Sequence, residues 1–360
     1  MRKKEQSMNT IQTTIKSGVI ANSEYTLHPI ECSVKINQNE SPYDLPIELK
    51  KQVTEKLLNR KWNVYPDFIP DSLYTKLSAY LGFNKDNILI GNGSNEMIFT
   101  ILAAMLESGH TVNIPVPTFT VYGLISSNLN ATVNYIAPNS DLSVNVPALR
   151  EAAKTKGSVT IICSPNNPTG RALTPNDLFS IIEASQGIVV VDEAYIHFGG
   201  QTIIDSINKY DNLIILRTFS KAFGLAGLRI GCMISNKNII TQLAKVKLPY
   251  NLNIFTLTTL EVVLDNIDFL QKNIDRIMEQ KPILMEGLKK HKELTVFPSD
   301  SNFILFRTDK PDWLFDELVK RDVLIRTYAN GKYLEGCLRV SVGSPDENKK
   351  FLDALDEILG

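Results

Sequence analysis

A repeated grammar that starts near residue 86 constrains the fold more than anything else in this chain: short apolar, β-branched runs alternate with stretches of helical periodicity. The runs cover 87–90, 111–114, 131–136, 158–162, 187–191, 213–216 and 228–234, typified by Gly187-Ile188-Val189-Val190-Val191 and Leu213-Ile214-Ile215-Leu216. A strand that is apolar throughout needs cover on both faces, whereas a half-exposed strand alternates. Between the runs, Met97, Ile98, Ile101, Leu102, Met105 and Leu106 follow Ser94 at helical spacing. Strand then helix, repeated, predicts a doubly wound α/β body with a mostly parallel central sheet and helices on both faces.

After about residue 255 the grammar changes. A long helical pattern over 258–290 leads to strand-like runs at 293–297, 302–306, 323–326 and 337–342, and the last residues read as a helix. The expected organisation is an N-terminal arm over 1–30, a large domain over 31–255 and a smaller α+β domain over 256–360, with 31–45 packing against the small domain. A chain of 360 residues is long enough for two cores and a buried site between them.

Charge narrows the classes of partner. With 38 basic and 39 acidic side chains and no basic cluster, the chain lacks the concentrated positive face that nucleic acid requires. No window approaches the roughly 18 consecutive apolar residues of a membrane helix, and the basic start Met1-Arg2-Lys3-Lys4 runs into polar residues rather than a secretory apolar segment. Cys32, Cys163, Cys232 and Cys337 are widely spaced, without C-x-x-C pairs or histidines at metal-ligand spacing. The expectations are therefore a cytoplasmic enzyme with reduced thiols, no metal, no nucleic acid and no membrane.

In an open α/β sheet, ligands lie beyond the carboxyl ends of the strands, and five strand ends here carry suggestive groups. Gly91-Asn92-Gly93-Ser94-Asn95 opens a helix whose free N–H groups suit a phosphate. Phe119 offers a flat face to a planar ring, and Asn167, inside Ser164-Pro165-Asn166-Asn167-Pro168, is an amide fixed by a proline-bounded turn. Asp192 ends a wholly apolar strand, where a carboxylate needs a cationic partner. Lys221 sits just beyond another such strand, where an amine can form a Schiff base with a carbonyl. Singly, each has an ordinary structural explanation. Jointly, a phosphate cup, a stacking ring, an amide, an acid for a ring nitrogen and a lysine describe a site for pyridoxal 5'-phosphate.

With these residues in view, the chain resembles the fold-type I pyridoxal-phosphate enzymes and, within them, the histidinol-phosphate aminotransferases, over about residues 30–358. The likeness rests on Asn37-Gln38-Asn39-Glu40-Ser41-Pro42, Tyr65-Pro66, 163–170, Asp192-Glu193-Ala194-Tyr195, 217–231, Pro249-Tyr250-Asn251, 301–305 and 336–343. The resemblance implies that Lys221 holds the cofactor and moves the proton at Cα, that Asp192 pairs with the ring nitrogen, and that Asn167 and Tyr195 bind its phenolic oxygen while Phe119 stacks on the ring. It implies a phosphate held by Ser94, Asn95, Thr218, Ser220 and Arg229, with Tyr65 reaching in from a second subunit, hence a homodimer. Arg326 and Arg339 are then the anion clamp for substrate, joined by Asn39, Asn167 and Tyr25. Two positions depart from the family's habit: Phe119 stands where tyrosine is frequent, and Asn95 where aspartate is. His28, His110, His197 and His291 match no catalytic role.

The implied reaction moves an amino group between glutamate and imidazole-acetol phosphate. Transamination of aromatic or other amino acids and decarboxylation of a phosphorylated amino acid such as threonine phosphate share most of the same stations. A cofactor-sensing regulator would need an appended DNA-binding domain, for which the arm is too short.

Overall fold

The computed structural model describes residues 14–23, 30–107, 109–328 and 331–360. Its largest sheet is built from β2 (Ile88–Gly91), β3 (Thr111–Pro115), β4 (Thr132–Ile136), β5 (Val159–Cys163), β6 (Ile188–Asp192), β7 (Leu213–Thr218) and β8 (Gly231–Ser235), in the order β2-β8-β7-β6-β5-β3-β4. β3 to β7 pair in parallel, and β8 runs antiparallel to both of its neighbours, β2 and β7. The carboxyl ends of the other strands therefore converge on one edge, where β8 begins. β5 and β8 are buried at every residue, as strands covered on both faces must be. β4, at the sheet's edge, is largely exposed.

A second sheet joins β9 (Thr295–Val296), β10 (Phe303–Arg307), β12 (Arg326–Thr327) and β13 (Cys337–Ser341) through antiparallel pairs, in the order β12-β13-β10-β9. A parallel two-strand pair ties β1 (Val34–Lys35) to β11 (Val323–Leu324). The segment after β1 thus reaches both sheets, and Asn39 N–H donates to Ser341 Oγ (2.9 Å). The final helix, Pro345–Leu359, begins in a reciprocal cap: Ser344 and Glu347 each satisfy the other's backbone N–H.

Two local expectations are corrected. The pattern over 258–290 is two helices, Ile254–Leu264 and Asp268–Lys289, the first capped by the Asn253 side chain on Thr256 N–H. The run 228–234 becomes a strand only from Gly231. Before it, Ala226–Leu228 is a 3₁₀ turn and Arg229 takes a left-handed φ of 51°. Apolar content alone predicts a strand there, but the left-handed Arg229 turns its side chain back over the start of the Ser94 helix.

Candidate active site

The convergent strand ends form the floor of a cavity of about 420 Å³, closed on the other side by the Asn37–Glu40 segment and by Arg326, Tyr328 and Arg339 of the smaller sheet. Lys221 stands on the turn that follows β7. Its Nζ donates to the Gln38 carbonyl at 2.8 Å and lies 5.8 Å from the centre of the Tyr195 ring. Burial, reinforced by the positive charges of Arg339 and Arg229 and opposed by Glu40, lowers its pKa to about 8. Roughly a tenth of the amine is then unprotonated at pH 7, so an ordinarily cationic group becomes a usable nucleophile.

Asp192 closes β6 and is buried. One carboxylate oxygen accepts from Ala194 N–H (3.0 Å) and the other from the Tyr122 hydroxyl (2.7 Å). Burial pushes its pKa up to about 6, against the pull of those two donors. Among the described residues no cation pairs with it. The ion-paired acid is its neighbour Glu193, whose carboxylate meets Arg217 at 2.6 Å and also accepts from Thr202 and from Ile203 N–H. A buried carboxylate left with neutral donors alone suits a partner that arrives with its own positive charge, such as a protonated ring nitrogen.

At the opposite end of the cavity Gly93 caps the helix Ser94–Met105 with φ 82°, a conformation glycine adopts without strain. A Cβ there would lie 2.8 Å from Arg229 Nη2, so the absence of a side chain lets the guanidinium reach the helix N-terminus. Arg229 Nη1 donates to Ser220 Oγ and to the Ala226 carbonyl, each at 3.2 Å, and Thr218 Oγ1 accepts from Ser220 N–H (3.2 Å). Ser94, Asn95, Thr218, Ser220 and Arg229 all line this end. A cation beside helix N–H groups, with no acid paired to it among the described residues, is the donor set for a phosphate.

Phe119 lines the same cavity as Asp192 and packs edge-on against Tyr122, with ring centres 5.5 Å apart. Asn39, at φ 55°, donates from Nδ2 to the Tyr195 hydroxyl (3.1 Å). Arg339 Nη1 donates to Asn167 Oδ1 and to the Tyr328 hydroxyl (2.9 Å), and its Nη2 to the Asn37 carbonyl (2.7 Å). Arg326 faces Arg339 directly across β12 and β13. The cavity is thus lined by Lys221, Arg229, Arg326 and Arg339 against the two acids Asp192 and Glu40, and Glu40 is already paired with Lys35 (2.9 Å). The amine, the buried acid without an ion-pair partner, the flat ring and the phosphate cup all face one space among the described residues, so the residues present fit pyridoxal 5'-phosphate.

One expected residue stands apart. Tyr65 is 79% exposed and stacks on Tyr250 (ring centres 4.7 Å apart) outside the cavity. Tyr25 lies outside the described residues. In return the geometry adds Tyr122, Tyr328 and the Gln38 carbonyl, none of which the sequence analysis gave a role. Tyr122 had one readable signal: it stands three residues after Phe119, in the first turn of the helix Val121–Asn128 that follows this strand end.

Comparison with known proteins follows the same outline. The family model for aminotransferase class I and II matches residues 33–355. A histidinol-phosphate aminotransferase of Thermoanaerobacter sp. (strain X514) is 37% identical over 97% of this chain and 99% of its own length. One from Chlorobaculum tepidum is 36% identical over 91% of this chain and 95% of its own. Among solved structures, the histidinol-phosphate aminotransferase of Sinorhizobium meliloti in complex with pyridoxal-5'-phosphate shares the fold with a TM-score of 0.86 at 21% identity, covering 96% of this chain and 98% of that one. The L-threonine-O-3-phosphate decarboxylase of Porphyromonas gingivalis does so with a TM-score of 0.80 at 23% identity, covering 91% and 99%. By its matched sequence, its fold-type I architecture and its cavity, this chain belongs to the class I and II aminotransferases, enzymes that depend on pyridoxal 5'-phosphate.

Proposed function

We propose that the chain transfers an amino group between glutamate and imidazole-acetol phosphate, forming histidinol phosphate and 2-oxoglutarate in the biosynthesis of histidine. The observation that carries this reading is the pair Arg326 and Arg339. Like charges directly opposite each other on paired strands repel, and an anionic substrate group between them removes that repulsion. A forked guanidinium suits both glutamate's carboxylate and a substrate phosphate. The names of the full-length relatives point the same way.

In this reading the bound cofactor supplies a carbonyl for the incoming amine and a ring that spreads the electron pair left at Cα. Lys221 would hold it and would take and return the proton at the substrate's Cα. Asp192 keeps the ring nitrogen protonated, and Tyr195 and Asn167 hold the phenolic oxygen. Phe119 stacks on one face. Ser94, Asn95, Thr218, Ser220 and Arg229 bind the phosphate. Arg339 and Arg326, with Asn39 and Tyr25, orient the substrate. Tyr65 completes the phosphate site of a second copy, which makes the working unit a homodimer. Phe68 and Tyr250 cluster with Tyr65 and are exposed with it, and a group of exposed aromatic rings supports a contact site there. The same reading divides the chain near residue 255 into a large and a small domain and places it in the cytoplasm. Among the described residues no helix is long and apolar enough to cross a membrane.

Half-reaction spectra of the loaded enzyme test the substrate. Histidinol phosphate and glutamate should each bleach the visible absorbance at rates well above phenylalanine or threonine phosphate, without release of carbon dioxide. Preference for phenylalanine would make the enzyme an aromatic aminotransferase, and carbon dioxide from threonine phosphate would make it a decarboxylase.

A further inference from the structure

Tyr328 follows β12 and extends its ladder, since its N–H donates to the Cys337 carbonyl at 2.9 Å. Alternate residues of a strand share a face, so Tyr328 stands beside Arg326 and on the same side as Arg339. Its ring centre is 5.8 Å from the Arg326 guanidinium carbon and 5.7 Å from that of Arg339, and it lines the cavity. The hydroxyl accepts from Arg339 Nη1. A hydroxyl that accepts a hydrogen bond still has its own proton to donate, and this one is held by Arg339 on a ring close to both guanidinium carbons.

Arg339 has less to give than its charge implies. Its Nη1 already serves Asn167 and Tyr328, and its Nη2 serves Asn37. Three of its five N–H donors are thereby used, leaving Nε and one Nη2 hydrogen, so an incoming anion finds its further donors on Arg326 and Tyr328. A planar carboxylate has two oxygens, which a single guanidinium fork matches in its plane. A phosphate group presents three terminal oxygens in a tetrahedral array and has acceptors left for a donor outside that plane.

We propose that Tyr328 is a specificity-determining residue: its hydroxyl is the additional donor that makes the Arg326–Arg339 clamp favour a phosphate group over a carboxylate. The proposal deepens the reading above and rests on its phosphorylated substrate. Replacing the hydroxyl alone, as in Tyr328→Phe, keeps the ring beside both guanidiniums and removes the donor.

The test compares the wild type and Tyr328→Phe as cofactor-loaded enzymes. KM is measured for histidinol phosphate and for glutamate, and inorganic phosphate and glutarate are used as competitive inhibitors of the glutamate half-reaction. Losing one hydrogen bond to a charged group should raise KM for histidinol phosphate and Ki for phosphate by roughly tenfold. Glutamate and glutarate should weaken by only about two- to threefold, through the loss of the contact that steadies Arg339. Equal weakening of phosphate and carboxylate ligands would overturn the proposal and leave Tyr328 as a support for Arg339. If the wild type fails to accept histidinol phosphate, the substrate reading falls, and the phosphate-to-glutarate inhibition ratio still decides the role of Tyr328.

Discussion

Burial shifts both Asp192 and Lys221 toward their neutral forms, the acid upward and the amine downward in pKa. For Asp192 the sign is opposite to that of a salt-bridged aspartate: its pKa in the folded chain is raised from 3.8 to about 6. Stability linked to the extra proton is complete below the unfolded value and is lost as the pH rises through about 6. At neutral pH the cofactor-free protein therefore carries a carboxylate at a net cost, which a bound cationic ring nitrogen offsets. Urea unfolding of the cofactor-free protein at pH 4 and pH 7 should show the stability difference shifting in favour of Asp192→Asn by up to about 3 kcal/mol as the pH rises. In the loaded enzyme the same substitution should sharply slow turnover, because no negative charge then faces the ring nitrogen. A pH-independent stability difference would place the native Asp192 pKa near its ordinary value.

The secondary-structure elements hold those residues in register. Glu193 and Arg217 extend from the ends of neighbouring strands β6 and β7, next to Asp192 and Thr218, and their ion pair is buried. Removing one partner leaves the other charge in a poorly solvated place. Breaking such pairs costs about 3–5 kcal/mol, while replacing both partners by apolar groups is often tolerated. Chemical denaturation should accordingly show Glu193→Gln to be less stable than wild type by about 3 kcal/mol, with much of the loss recovered in Glu193→Gln combined with Arg217→Met. Independent, additive losses would show that the two side chains are not coupled. Sequence analysis located these strand ends because all-apolar runs mark buried strands whichever elements flank them. It gave Glu193 and Arg217 no pairing: Asp192 and Glu193 are adjacent, and only the packing shows which one faces Arg217 and which one faces Tyr122.

At the scale of the whole molecule, Tyr65 cannot contribute to the cavity of its own chain from the exposed surface where it stacks on Tyr250. If each site borrows this residue from a second copy, two defective chains can repair each other. Lys221→Ala and Tyr65→Ala, each strongly impaired alone, should recover roughly a quarter of wild-type activity when unfolded together and allowed to reassociate at random, because half of the dimers then contain one intact site. Activity equal to the mean of the separate variants would place Tyr65 outside the partner's site.

What the amino-acid order determined by itself was local: the apolar runs that become the large sheet, the glycines that open the Ser94 helix, and the chemical types waiting at each strand end. Those follow from periodicity and backbone freedom, which act over a few residues. Tertiary structure decided which of those types meet. Tyr122 reaches Asp192 across 70 positions and Arg339 reaches Asn167 across 172, and no local pattern encodes contacts at such separations. It also turned Arg229 out of an expected strand toward the phosphate cup, and set Arg326 opposite Arg339 with Tyr328 beside both. The charge, hydrogen bonding and burial of those side chains depend on neighbours that only the folded chain assembles.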